Sequence, residues 1–175
     1  MANYVITANN ISELGGAQKI AHTLARGLAQ RGHQVYLVGI TPVADPHDYQ
    51  VNGDYQVHTL MAEVWPLKGD AREGSRTTLR AQAVSALNQL LMRLGSANII
   101  ATQLWSLEIV LDALAPQRNL FPVIGQYHGS FAAAAAGRDI KRIQKLAPNS
   151  EYFTALSGED CSGFLDAGLT NAMSL

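Results

Sequence analysis

The start of the chain changes from a strand-like to a helix-like hydrophobic pattern and back again. A short apolar run predicts a buried strand over about Asn3–Ala8. The next apolar residues repeat at helical spacing: Ile20, Ala21, Leu24, Ala25 and Leu28. This predicts a helix over about Ala17–Gln30, with Gly32 as its C-terminal glycine, followed by a second strand over Gln34–Gly39. Such a βαβ unit is right-handed and builds a parallel sheet.

The alternation of strands and helices continues to the end of the chain. Further strands are predicted at Tyr55–Leu60, Asn98–Thr102, Phe121–Gln126 and Tyr152–Leu156, and the opening of another in Leu169–Leu175. Further helices are predicted at Leu79–Leu94, Ser106–Ala115 and Arg138–Leu146, with a short helix after Ser157 and a helix start in the run Ala132–Ala136. The pattern therefore predicts an α/β fold with a Rossmann-like parallel sheet flanked by helices.

Three segments between or around these elements lack a clear apolar period. Thr41–Asp54 is predicted to be a loop, and Met61–Ser75 is expected to be exposed and mobile, either as a lid or as a long connection. Arg76 and Arg80 fall off the apolar stripe of the following helix, which favours a solvated face over membrane contact. Ser157 and Asp160 have the spacing of a capping box.

Composition narrows the class of protein. The 175 residues, of which 47% are hydrophobic, predict one domain with one substantial core. The formal net charge of −1 does not indicate a nucleic-acid-binding surface. The lone Cys161 indicates a reducing compartment, and no apolar run approaches the length of a membrane span, so we expect a cytoplasmic protein.

Candidate chemistry lies where the strands end, because open parallel sheets bind ligands beyond their carboxyl edge. The polar and glycine residues that follow the predicted strands are Asn9, Asn10, Gly15, Gly16, Thr41, Gln103, Trp105, Tyr127, His128, Ser130 and Ser157. Gly15-Gly16 joins a strand to a helix, which suits a phosphate at the helix N-terminus or merely a tight corner. His128 is either a hydrogen-bonding and titratable site residue or a structural loop histidine. Trp105 either stacks on a sugar ring or belongs to the core.

Several familiar chemistries lack their sequence signatures. The chain has no Gly-x-x-x-x-Gly-Lys-Ser/Thr loop, no Gly-x-Gly-x-x-Gly after the first strand and no Gly-x-Ser-x-Gly elbow. No acidic residue ends the second strand, and the histidines and Cys161 have no metal-ligand spacing. The patterns therefore disfavour ordinary dehydrogenases, hydrolases and zinc enzymes.

Three stretches resemble a known enzyme family. Glu13-Leu14-Gly15-Gly16-Ala17-Gln18-Lys19 and the later Arg31-Gly32-His33-Gln34-Val35 resemble the opening of the retaining "group 1" glycosyltransferases of family 4. Gly125–Phe131, then Phe153–Ser157 with Phe164 and Gly168, match the N-terminal domain of that family in order and spacing. The resemblance covers essentially the whole chain and implies one half-domain of a GT-B fold, with the C-terminal donor-binding domain absent from these 175 residues.

The resemblance implies the roles of individual residues and partners. Gly15 and Gly16 would approach the diphosphate of a nucleotide-sugar donor, and His128 would approach the transferred sugar as the catalytic residue. On the acceptor side the candidates are Asn10, Lys19, Gln103, Trp105 and Ser130, facing a sugar, polymer or lipid acceptor. No metal, no further cofactor and no nucleic acid are expected, and the family leaves open a peripheral contact at the inner face of the membrane.

The chain departs from the family pattern at two points. Gln18 stands where the family often has Glu, and the family's paired glutamates belong to the second domain. Glu151 and Glu159 have the same spacing as that pair, but they flank a predicted strand in the wrong domain, so the match is accidental. We expect the isolated domain to be inactive. A stand-alone Rossmann-like binding module and a small nucleotide-dependent enzyme complete in itself remain alternatives.

Overall fold

The computed structural model describes residues 1–49, 53–64, 73–115 and 120–175. Its strands are β1 (Asn3–Ala8), β2 (Gln34–Gly39), β3 (Gln56–Thr59), β4 (Asn98–Ala101), β5 (Val123–Gln126), β6 (Tyr152–Ala155) and β7 (Ala172–Ser174). Its α-helices are α1 (Gly16–Gln30), α2 (Glu73–Leu94), α3 (Leu104–Leu114), α4 (Phe131–Ala136), α5 (Asp139–Leu146) and α6 (Gly158–Asp166). The predicted α/β fold is confirmed.

The seven strands form one parallel sheet in the order β3-β2-β1-β4-β5-β6-β7. Ile6 of β1 is paired with Leu37 of β2 on one side and Ile100 of β4 on the other. The chain leaves β1 toward β2 and later resumes at β4 on the opposite side, so the direction of strand order reverses between β1 and β4. Such a reversal opens a crevice at the carboxyl edge of the sheet.

Alternate residues of the central strands enter two different cores. Ile6 and Ile100 pack with Ala21 and Ala25 of α1, on one face of the sheet. Their neighbours Val5 and Ile99 belong to the larger cluster on the other face, which includes Leu87 of α2, Leu107 of α3, Ile143 of α5 and Phe164 of α6. A buried parallel sheet needs both faces covered, and this alternation supplies that cover around β1 and β4.

The predicted boundaries hold best at the start of the chain. β1 and β2 have the predicted bounds, α1 begins one residue earlier, and Gly32 has the positive φ of 82° expected of a C-terminal glycine. α3 begins at Leu104, so Trp105 lies within the helix and not in a loop before it. Among the described helices, none is both long and apolar enough to span a bilayer.

Two segments predicted as loops are described only in part. Residues 50–52 of the Thr41–Asp54 loop and residues 65–72 of the Met61–Ser75 segment lie outside the described residues. Glu73–Ser75, which the sequence assigns to that segment, forms the start of α2.

The Arg80 side chain is 43% exposed, in agreement with the predicted solvated face, and it also contacts α3. Its guanidinium donates to Asp112 Oδ2 of α3 at 2.7 and 2.9 Å and lies 3.6 Å from Glu108 Oε2. The partners follow Arg80 by 28 and 32 positions, beyond the reach of a helical pattern. The ion pair fixes α2 against α3.

Substitution of Gly125 tests the packing behind the carboxyl edge of β5. A Cβ at this position would lie 2.9 Å from Leu107 Cδ2 and 3.0 Å from Phe153 Cδ2, so we expect Gly125→Ala to lower the free energy of unfolding by about 1–3 kcal/mol. The matched control is Gly158→Ala, because no atom lies within 4 Å of the added Cβ there. Urea unfolding should show little change for the control, and an equal loss in both variants would contradict the packing argument.

Candidate functional site

The turn between β1 and α1 leaves the helix N-terminus open. Gly15 has an extended backbone with φ −168° and ψ 164°, and within the described residues no side chain caps α1. A Cβ on Gly15 would lie 2.6 Å from Gln18 Oε1, whereas a Cβ on Gly16 would meet nothing within 4 Å. A Cβ on Gly15 would therefore displace the end of the Gln18 side chain, and Gly16 borders open space. A helix N-terminus with exposed N–H groups attracts anions.

Asn10 holds this turn through three hydrogen bonds. Its Oδ1 accepts from Glu13 N at 3.1 Å and from Gln18 Nε2 at 3.0 Å, while its Nδ2 donates to Glu13 Oε2 at 3.0 Å. The donation from Gln18 is one that a glutamate carboxylate could not make. Gln18 thus has a local structural use in this chain, and the acceptor-side role of Asn10 stays a prediction.

Hydrogen bonds join the ends of β1 and β4 across the reversal of strand order. Gln103 Oε1 accepts from Asn9 N at 2.8 Å, and Asn9 Oδ1 accepts from Ser106 N at 3.1 Å. These bonds fix the first turn of α3 to the end of β1, beside the crevice.

A cavity of about 270 Å³ lies in this crevice. Its lining is mostly polar or aromatic and comprises Asn9, Ala17, Thr102, Gln103, Leu104, Trp105, Tyr127, His128, Gly129, Asp139 and Arg142. The cavity brings together five of the strand-end candidates predicted from the sequence: Asn9, Gln103, Trp105, Tyr127 and His128. Trp105 also packs against the larger core cluster, so its ring serves core and cavity alike.

His128 has no hydrogen-bond partner in the part of the chain described. Both of its ring nitrogens are buried, and neither Nδ1 nor Nε2 contacts a protein donor or acceptor at hydrogen-bonding distance. Burial lowers the pKa of the imidazole from its usual 6.5, which keeps the ring neutral near neutral pH. A neutral imidazole has one N–H to donate and one lone pair to accept. Within the described residues, His128 uses neither of them.

Two carboxylates hold the loop that carries His128. The Tyr127 hydroxyl donates to Asp139 Oδ2 at 3.2 Å, and Phe131 N donates to Asp160 Oδ1 at 2.7 Å. Gly129 is needed because a Cβ there would lie 2.9 Å from the Tyr127 ring. The loop is thus fixed on both sides of His128.

Asp160 does more than the predicted capping box requires. Its N–H donates to Ser157 Oγ at 3.1 Å, which confirms the cap, and its Oδ2 accepts from the Ser157 hydroxyl at 2.7 Å. The hydrogen bond from Ser157, followed by that from Phe131 N, lowers the pKa of the Asp160 carboxyl. Sequence reasoning found the local cap but missed the contact with Phe131, which lies 29 positions away.

Ion pairs form the outer wall of the cavity. Arg142 lies 3.4 Å from Glu108 and 3.7 Å from Asp139, and Glu108 also pairs with Arg80. This network connects α2, α3 and α5. None of these charged residues carries a motif, and the sequence pattern placed only Arg80, on a solvated face.

A second cavity of about 840 Å³ lies on the other side of the start of α1. It is lined by Leu14, Gly15, Gly16, Lys19, His22, Thr23, Arg26, Gln30, His47, Asp48, Tyr49 and Asp54. The predicted site residues are thus divided, with Gly15, Gly16 and Lys19 in this cavity and His128, Gln103 and Trp105 in the smaller one. Ser130 lines neither, because it caps α4 by accepting from Ala133 N at 3.1 Å.

The family model for Glycosyltransferase Family 4 matches residues 14–167. The chain belongs to glycosyltransferase family 4. Comparison with curated protein sequences gives no significant match.

Solved structures show the same fold as this family-4 chain at low sequence identity. The lipopolysaccharide outer core galactosyltransferase WaaB in its apo form has a TM-score of 0.69 at 12% identity, over 98% of this chain and 44% of its own. Sucrose-phosphate synthase from Thermosynechococcus elongatus has 0.75 at 12%, over 99% and 47%. Anabaena Alr3699/HepE, solved with UDP-glucose, has 0.65 at 13%, over 100% and 43%. The family-4 chain therefore has the GT-B half-domain fold and spans less than half the length of these proteins.

The two buried histidines of the family-4 chain predict how its stability depends on pH. Burial lowers the pKa of both His22 and His128 from 6.5, so below this pH the unfolded chain binds more protons than the folded one. We expect the free energy of unfolding to fall as the pH drops through 6.5, and NMR titration to give both rings midpoints below 6.5. His128→Gln should reduce the slope of stability against pH, and a midpoint above 6.5 for His128 would contradict its burial as the cause.

Proposed function

We propose that this chain is the acceptor-binding N-terminal domain of a retaining glycosyltransferase that uses a nucleotide-sugar donor, and that it is inactive alone. The observation that carries the proposal is the buried imidazole of His128, whose two nitrogens have no partner among the described residues and which lines a cavity at the reversal of strand order. Unpaired buried polar groups are costly, so their persistence favours a ligand-binding use. Membership of family 4 supplies the class of ligand.

The diphosphate of the donor would lie at the start of α1. Gly16 has no side chain to cover its N–H, its Cβ position is open, and the helix dipole favours negative charge there. The Gly15 N–H already donates to the Tyr49 hydroxyl at 3.2 Å, so Gly16 is the better donor of the pair. HepE was solved with UDP-glucose, which shows that a protein of this fold accommodates such a donor.

His128 would contact the transferred sugar. Ala17 of the first turn of α1 lines the same cavity as His128, so a sugar attached to a diphosphate at Gly16 reaches the imidazole by entering this cavity. The fixed loop around His128 would position the reacting sugar, and positioning is a large part of catalysis in transfer reactions. Gln103 and Trp105 offer an amide and an aromatic face to the sugars, and Lys19 offers a cation on the other side of α1.

The proposal requires a second domain that follows residue 175 in the parent protein. The donor ribose and most of the diphosphate need partners that one wall of a cleft does not supply. A downstream βα domain with the paired glutamates would support the proposal, and a coding sequence that stops at Leu175 would favour a stand-alone binding module. The proposal also includes a cytoplasmic location, with the inner face of the membrane as one possible setting, and a reaction without a metal.

Substitutions of Gly16 and His128 should change different kinetic constants of the full-length enzyme. Gly16→Val covers the N–H that meets the diphosphate, so we expect the KM for the donor to rise about 10- to 100-fold, the equivalent of one charge-assisted hydrogen bond. His128→Ala removes a contact at the reacting sugar, so kcat should fall on the order of 10²-fold with a smaller change in donor affinity.

Steady-state kinetics after circular dichroism would measure both effects on folded protein. Gly16→Ala is the matched control for the added bulk, and His128→Gln retains a hydrogen-bonding side chain. Turnover near the wild-type value in folded His128→Ala would return His128 to a structural role and remove the main support for the proposal.

A further inference from the structure

Tyr49, in the loop after β2, places its hydroxyl inside the turn that precedes α1. The hydroxyl accepts from Gly15 N at 3.2 Å and donates to Glu13 O at 2.8 Å, with Gly15 O also near at 3.4 Å. The backbone from Glu13 to Gly15 therefore folds around one phenol oxygen. The sequence analysis assigned no role to Tyr49, because it lies in a loop and 34 positions from Gly15.

The ring of Tyr49 is held by two histidines. It stacks on His22 of α1 with centroids 4.3 Å apart and planes at 13°, and the His47 ring meets it edge-on at 4.6 Å. These contacts fix the plane of the phenol and hence the direction of its hydroxyl.

Both ring nitrogens of His22 are hydrogen-bonded. Its Nε2 lies 2.8 Å from Ile11 O and its Nδ1 lies 2.6 Å from the Tyr55 hydroxyl. A carbonyl oxygen can only accept, so Nε2 carries the proton and Nδ1 accepts from Tyr55. The ring under Tyr49 is thus a neutral imidazole with both nitrogens satisfied, in contrast to His128.

Two further bonds connect the Tyr49 loop to α1 and to the turn. Arg26, one helical turn after His22, donates to Tyr49 O at 3.5 Å, and His47 N donates to Ser12 O. The loop is attached both to the body of α1 and to the segment in front of it. Tyr49 therefore couples the position of the Gly15-Gly16 peptide to the helix that follows.

We propose that Tyr49 is a positioning residue for the donor diphosphate, acting through the turn and not by contact with the reacting atoms. By holding Glu13 and Gly15, the hydroxyl fixes the direction of the Gly16 N–H before the ligand arrives. Two successive glycines have large conformational freedom, and a ligand that must order them binds more weakly. This inference rests on the proposed donor site at Gly16.

The test uses Tyr49→Phe in the 175-residue chain, which keeps the ring on His22 and removes only the hydroxyl. Inorganic pyrophosphate is titrated while the amide of Gly16 is followed by NMR, which detects millimolar binding. We expect the variant to bind pyrophosphate about 3- to 10-fold more weakly than the wild type, the effect of losing one hydrogen bond that orders the site. Amide exchange at Gly15 should also become faster.

Tyr36→Phe is the matched control, because Tyr36 lies in β2 against His58 and is remote from the turn. It should bind pyrophosphate as the wild type does, and thermal melts should show all three proteins folded. Equal or tighter binding by Tyr49→Phe would overturn the inference and leave the proposed function standing. No pyrophosphate-dependent shift at Gly16 in the wild type would contradict both the donor site and the role of Tyr49.

Discussion

β1 pairs with β2 on one side and with β4 on the other, and the arrangement of the site depends on this pairing. Because the chain runs to one side of β1 first and to the other side later, α1 and α3 begin next to each other and leave a crevice between them. The bonds from Asn9 to Gln103 and from Ser106 to Asn9 close the edges of that crevice. Polar side chains at the strand ends thereby become the walls of a cavity, while apolar residues on the same strands remain in two cores.

His22 and His128 differ in how their ring nitrogens are satisfied. Burial lowers the pKa of both, but His22 has a partner for each nitrogen, whereas His128 has none in the described chain. An unpaired buried polar group costs roughly 1–3 kcal/mol. His33 Nδ1 and His58 Nε2 are also buried without a partner, so what singles out His128 is the combination of two unpaired nitrogens with a place in the lining of the cavity at the carboxyl edge.

Sequence pattern predicted what depends on neighbours along the chain. β1, α1 and β2 were found nearly to the residue because apolar spacing and Gly32 are local signals. The position of His128 at the end of β5 followed from the same strand pattern. Its unpaired nitrogens, the contact of Asp160 with Phe131, the Arg80 ion pair and the Tyr49 hydroxyl did not follow, since each depends on residues brought together by the fold. The first turn of α1 separates Gly15, Gly16 and Lys19 from His128, and this separation too could be seen only in the packed structure.

If one donor meets both Gly16 and His128, NMR on the isolated chain should detect it at both residues. The amide of Gly16 and the ring protons of His128 would be followed during titration with UDP, GDP and ADP, each compared with its sugar-bearing form. We expect the nucleotide to shift Gly16 alone and the matching nucleotide sugar to shift both residues. A nucleotide sugar that shifts Gly16 while leaving His128 unchanged would show that the two residues do not share a donor.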